Sequence, residues 1–127
     1  MSFQGKVIVI TGAGGNFGRE GCLFFAEQGC RVAALDVNSS ALEETQTYVK
    51  EKIPKAEIIH KTCNVTDVTS VQTAIDSIAT EFGEIHLLWN NAGYQGQIKS
   101  TLEYDVADFA LVMNINVTGM VSKMFCV

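Results

Sequence analysis

The residues with most chemistry to offer lie in TGAGGNFG, Thr11 to Gly18, where four of eight positions are glycine. Glycine gives backbone freedom and lets a ligand come close to main-chain N–H groups. The segment follows the apolar run KVIVI and precedes a helical pattern. At a strand-to-helix turn, orphan N–H groups and the helix dipole converge on an anion, so the loop reads as a phosphate cradle. The bare spacing is weak, because Gly12 and Gly14 fit GxGxxG but Phe17 stands where the last glycine belongs. A glycine-rich structural turn is the plainer alternative. Asp36 shifts the balance: it ends the next predicted strand, 18 residues beyond Gly18, where a dinucleotide-binding fold puts an acid on the adenosine ribose.

A strand before the loop and a helix after it must hold these groups. Lys6 to Thr11 is a β-branched run suited to a strand buried on both faces. A helix is expected from Phe17 to Gln28, stopped by Gly29. Strands follow at Arg31 to Asp36, Glu57 to Cys63 and Ile85 to Asn90. Between them come a helix over Ser39 to Lys52, with a Ser40xxGlu43 capping box, and one whose apolar face is Val71, Ala74, Ile75, Ile78, Ala79 and Phe82. A loop to Ser100 leads to a last helix capped by Asp105, with a stripe of Phe109, Val112, Met113, Val117, Met120, Val121 and Met124. Asn116 falls on that stripe, seven residues after Phe109, and a buried amide needs partners. Its exchange for leucine is expected to cost little stability. The alternation argues for a parallel sheet covered on both faces, with doubly wound order 3-2-1-4.

At 127 residues the chain has the size of one domain, read here as a single unit over 1–127. With 14 acidic against 9 basic residues and a net charge of −5, a nucleic-acid partner is not expected. No apolar run reaches membrane-spanning length, so no membrane partner is expected either. The opening MSFQGKVIVITG lacks a signal layout. Cys22, Cys30, Cys63 and Cys126 form no CxxC pair, and only His60 and His86 are available beside them. No metal site is expected, and the thiols read as reduced, in a cytoplasmic protein.

These residues resemble the classical short-chain dehydrogenases/reductases, whose loop is TGxxxGxG and whose fourth strand ends in NNAG. Thr11, Gly12 and Gly18 match the first pattern, and Asn90, Asn91, Ala92 and Gly93 complete the second. The resemblance implies a Rossmann-type doubly wound α/β fold that binds NAD. It implies cofactor contacts from Thr11, Gly12, Gly14, Gly15, Asn16, Phe17 and Gly18 in the loop, and from Asp36 and Val37 beyond it. Asn64 and Val65 look like the family's Asp-Val pair at the adenine, with Asn replacing Asp, and Asn90, Ala92 and Gly93 complete the set. Asn116, in NINVTG, looks like the active-site asparagine that organises the catalytic lysine and a relay water. Asn16 replaces a family glycine that lets backbone approach the pyrophosphate; asparagine is among the few other residues that tolerate a left-handed conformation, and either its Cβ crowds the phosphate or its amide donates to it. NNAGYQG and NINVTG also look like xylitol-type polyol dehydrogenases, which implies a small alcohol or polyol substrate.

The family's serine and Tyr-xxx-Lys lie beyond the fifth strand, and this sequence ends before them. The chain is therefore expected to be the cofactor-binding half of an NAD-dependent oxidoreductase, truncated after the helix that follows strand four and inactive alone. The alternative is a truncated nucleotide-binding or interaction module without turnover. Tyr48 and Lys52 spell YxxxK but precede NNAG and fall on the second helix, a solvated face. Arg19 reads as solvated and Trp89 as core. IHLLWN would form an apolar edge that invites self-association.

Overall fold

The computed structural model describes residues 2–126. Side chains alternate across the first strand, β1 (Val7–Thr11), so Ile8 and Ile10 enter one core while Val7 and Val9 enter the other. The chain continues through α1 (Asn16–Glu27), β2 (Arg31–Asp36), α2 (Ser39–Lys52), β3 (Ile58–Thr62), α3 (Val68–Phe82) and β4 (Leu87–Trp89). After a 3₁₀ turn at Thr101–Glu103 come α4 (Val106–Met113), a π turn at Asn114–Thr118 and α5 (Gly119–Cys126). The strands form one parallel sheet in the order β3-β2-β1-β4, the doubly wound arrangement anticipated above.

Each face of the sheet has its own core. Val32 and Ala34 join Ile8 and Ile10 against Cys22 of α1 and Leu42 and Val49 of α2. Ala33 and Leu35 join Val7 and Val9 against Val71, Ala74, Ile75 and Ile78 of α3. Burial on both faces is why these strands read as continuous apolar runs. Gly21 brings α1 onto Trp89, whose ring occupies the space a Cβ there would need.

Local signals place most helix starts. Asp67 caps α3 by accepting from Thr69 and Ser70 N–H, and Asp105 caps α4 by accepting from Ala107 N–H at 2.8 Å. The second helix corrects the expected capping box. Asn38, not Ser40, is the N-cap, its Oδ1 accepting from Ala41 N–H at 3.0 Å, which leaves Ser40 inside the first turn.

The last helix differs most from expectation. Phe109, Met113, Val117, Met120, Val121 and Met124 are exposed, whereas Asp108, Gly119 and Lys123 are buried. The exposed positions lie both before and after the π turn, which adds one residue to a turn and so sets the phase that turns Gly119 and Lys123 inward. Gly119 brings α5 against the Val65 carbonyl oxygen, which would lie 2.8 Å from a Cβ at that position.

Lys123 is only 1% exposed, and its Nζ donates to Thr11 Oγ1 at 3.4 Å. Burial pushes its ammonium below the ordinary value of 10.5, against a smaller opposing effect of Cys63. Unfolding therefore takes up a proton, and this residue makes stability rise with pH until the unfolded value is passed. Lys123→Met is expected to flatten that rise and to stabilise the protein by about 1–2 kcal/mol at neutral pH. Urea melts of both proteins over a pH series that ends near the ordinary value of 10.5 check this, and parallel pH dependence would contradict it.

Candidate functional site

The carboxyl ends of all four strands open onto one cleft of about 300 Å³. Gly12 follows β1 at its floor. Asp36 and Val37 come from the end of β2, and Cys63, Asn64 and Val65 from the end of β3. Ala92, Gly93 and Tyr94 follow β4, while Leu111 of α4 and Ile115 of the π turn close the wall. Clefts at the carboxyl edge of a doubly wound sheet, where strand order reverses, are the usual ligand sites of such folds.

The glycines of the first loop have separate physical reasons. Gly12 takes φ 65°, and a Cβ there would sit 2.9 Å from Ala92 Cα. Gly14 donates its N–H to Asp36 Oδ2 at 3.0 Å, and a Cβ on it would meet Ala41 Cβ at 2.7 Å. Asp36 Oδ1 also accepts from Asn38 N–H at 3.1 Å, so two backbone bonds aim the carboxylate before any ligand arrives. Gly15 is the N-cap of α1 and supplies no side-chain cap, and the first turn holds no acidic residue. The N–H groups of Asn16, Phe17 and Gly18 have no protein acceptor among the described residues. They form an anion site with the helix dipole behind it.

Asn16 does not use the left-handed tolerance of asparagine. No described non-glycine residue has positive φ, so Asn16 is an ordinary first residue of α1, and the left-handed position is Gly12. Phe17 is 81% exposed and its side chain lies off the cleft, in an apolar groove with Gly21, Phe24, Leu87 and Trp89 beside the β4 edge.

Thr11 acts behind the wall. Its buried Oγ1 accepts from Asn91 N–H at 3.1 Å and Ala92 N–H at 3.0 Å, which ties the NNAG turn to β1. Asn91 answers by donating Nδ2 to the Thr11 and Gly12 carbonyls at 3.1 and 3.3 Å. Asn90 donates to the Met120 carbonyl at 3.3 Å, while its buried Oδ1 has no partner among the described residues.

Asn116 is half-buried and reads the backbone of one residue. Its Oδ1 accepts from Tyr94 N–H at 2.7 Å and its Nδ2 donates to the Tyr94 carbonyl at 2.9 Å. The Tyr94 hydroxyl donates to Asp108 at 2.9 Å, and the same carboxylate accepts from Tyr104 at 2.5 Å and from Gln97 N–H at 2.9 Å. The Tyr104 and Gln97 bonds hold the Asp108 carboxyl below its usual range, and the hydrogen-bonded carboxylate pushes both tyrosines up. Asn91, Tyr94 and Asp108 escaped sequence reasoning. Only the position of Asn91 inside NNAG offered a signal.

At the β3 end, Asn64 Oδ1 accepts from Thr66 N–H at 3.0 Å and from the Thr66 hydroxyl at 2.7 Å. Tyr48 donates to Glu20 at 2.6 Å, and Lys52 lies 5.0 Å from the Tyr48 ring centroid, so this pair sits outside the cleft lining. Arg19 is tied to Thr45 and Glu44 on α2, each at 3.2 Å. His86 Nδ1 accepts from Val7 N–H at 3.0 Å, a structural bond at the start of the sheet. Among the described residues no group of three or more His, Cys, Asp or Glu is gathered, and no helix is long and apolar enough to cross a membrane.

The short chain dehydrogenase family model matches residues 6–126. Levodione reductase of Leifsonia aquatica is 32% identical over 118 residues, covering 93% of this chain and 44% of that protein. The crystal structure of an NAD+-bound xylitol dehydrogenase superposes with a TM-score of 0.93 at 42% identity, covering all of this chain and 48% of that one. A short chain dehydrogenase/reductase from Burkholderia phymatum in complex with NAD gives a TM-score of 0.91 at 35% identity, covering 99% and 44%. The chain spans about half the length of the curated relatives it matches. With a doubly wound sheet, a glycine cradle facing an aimed acid, and a family match over nearly its whole length, the chain belongs to the short-chain dehydrogenases.

Proposed function

We propose that residues 1–127 form the dinucleotide-binding unit of an NAD-dependent oxidoreductase. The observation that carries the reading is the pairing of an uncapped α1 N-terminus with an acid fixed beside it by Gly14 N–H. The pyrophosphate is assigned to the N–H groups of Asn16, Phe17 and Gly18, above backbone left bare at Gly12, Gly14 and Gly15. The adenosine ribose is assigned to Asp36 and Val37, its base to Asn64 and Val65, and the nicotinamide end to Ala92 and Gly93. Thr11 and Asn90 support that wall from behind.

NAD supplies a hydride acceptor at the nicotinamide carbon. Asn116 positions Tyr94 and the turn that leads to it, at the end where a substrate alcohol would meet the cofactor. We assign hydride transfer with a small alcohol or polyol to the complete protein, which the similarity to a xylitol dehydrogenase supports. The half-buried strand Leu87–Trp89 is assigned as a pairing edge. Three buried unpaired thiols, Cys22, Cys30 and Cys63, support a reducing, cytoplasmic setting.

Calorimetric titration with NAD and NADP tests the cofactor assignment. Asp36 should bond the ribose hydroxyls and repel a 2'-phosphate, so NAD is expected to bind at least about tenfold more tightly. Asp36→Ala should weaken NAD about 30-fold, the worth of a charged hydrogen bond of roughly 2 kcal/mol, and abolish the preference. Equal or tighter NADP binding by the unaltered chain would overturn the assignment.

A further inference from the structure

We propose that Asn64 makes the base end of the cleft tolerant of a 6-oxopurine, so that it does not discriminate adenine from hypoxanthine. The proposal rests on the dinucleotide reading of the cleft. Moving from β1 to β3, the strand ends present the pyrophosphate cradle, then the ribose acid, then Asn64 and Val65, which leaves the base against this last pair.

The orientation of the Asn64 amide is fixed by chemistry. Thr66 N–H can only donate, so the atom 3.0 Å from it must be the amide oxygen, and that oxygen also serves the Thr66 hydroxyl at 2.7 Å. The free end of the side chain is therefore Nδ2, a donor with no protein acceptor among the described residues. Val65 N–H likewise has no protein acceptor among them. Asn64 and Val65 both line the cleft, each carrying a donor without a protein acceptor among the described residues, and the Asn64 acceptor is already engaged.

The exocyclic amine of a 6-aminopurine is a donor, next to the acceptor N7, whereas a 6-oxopurine presents two acceptors, O6 and N7. A carboxylate at position 64 would keep one oxygen for Thr66 N–H and offer the other to the amine, while repelling O6. The amide offers the amine nothing and O6 a hydrogen bond. Beside its amine adenine keeps N1 as an acceptor, whereas a 6-oxopurine carries N1–H beside its acceptor O6, so on that edge each base meets one of the two donors with an acceptor and neither is excluded.

The test is isothermal titration of the chain and of Asn64→Asp with NAD and with nicotinamide hypoxanthine dinucleotide. The unaltered chain is expected to bind the two within about fivefold, and Asn64→Asp to favour NAD by a ratio about tenfold larger, the effect of one charged hydrogen bond. A preference above fivefold for either nucleotide in the unaltered chain overturns the proposal even if the variant fails to fold. So does a folded Asn64→Asp with an unchanged ratio. If neither nucleotide binds the unaltered chain, the dinucleotide reading fails and takes this proposal with it.

Discussion

Gly18→Val is expected to cost more than about 4 kcal/mol and to lower the melting temperature by roughly 15 °C. A Cβ at Gly18 would overlap the Gly12 carbonyl oxygen and lie 2.6 Å from Ala13 Cα and 2.8 Å from the Gly12 carbonyl carbon. All three are backbone atoms, so no side-chain rotation relieves the overlap, and a β-branched residue adds a second branch to it. The loop and α1 must separate, which also removes the N–H groups assigned to the pyrophosphate. Asn16→Gly, two residues away at an exposed helix start, should cost only about 0.5 kcal/mol. Melts of the two variants, with NAD titrations, give the comparison. A difference below about 1 kcal/mol would show that α1 does not pack on the loop in this way.

Asn116→Leu is expected to lose about 3 kcal/mol, which reverses the small cost anticipated from the apolar stripe. Both ends of the amide are engaged by one peptide neighbour, the N–H and carbonyl of Tyr94, and leucine would leave both groups without a partner. Tyr94 lines the cleft, so its release should also loosen the wall at Gly93. Asn116→Asp separates the two bonds, since a carboxylate accepts from Tyr94 N–H but repels the carbonyl, and an intermediate loss is expected. A leucine variant that melts with the unaltered chain would refute the clamp.

The fold was legible because its strands are short, largely apolar runs separated by helices with plain stop signals. Gly29 and Gly83 end α1 and α3 with φ 82° and 81°, a conformation glycine adopts freely. The capping of α2 was misread by two residues, because Asn38 and Ser40 are equally good caps and only the backbone decides between them. Within the cleft, Asp36 and the glycines were legible because spacing alone puts them at strand ends. The Tyr94, Asp108 and Tyr104 cluster was not. An acidic residue on a helix ordinarily reads as solvated, and nothing local says that a loop will fold back over Asp108. Apolar spacing in the last helix named residues that would share a face in a regular helix, but it carries no mark of a wider turn.

That wider turn, Asn114–Thr118, makes chain length a specification in its own right. One residue fewer between these positions would let the hydrogen bonds close as an ordinary α-helix, so the backbone could absorb a deletion locally without a cavity or an orphaned donor. What it could not absorb is phase. Everything downstream would rotate by about 100°, the angle of a single residue. Gly119 would swing away from the Val65 carbonyl and Lys123 away from Thr11, although every amino acid at those contacts stayed the same. Among related chains, an insertion or deletion at this turn would therefore repartition which side chains back the cleft, a change that alignment of residue identities alone would pass over.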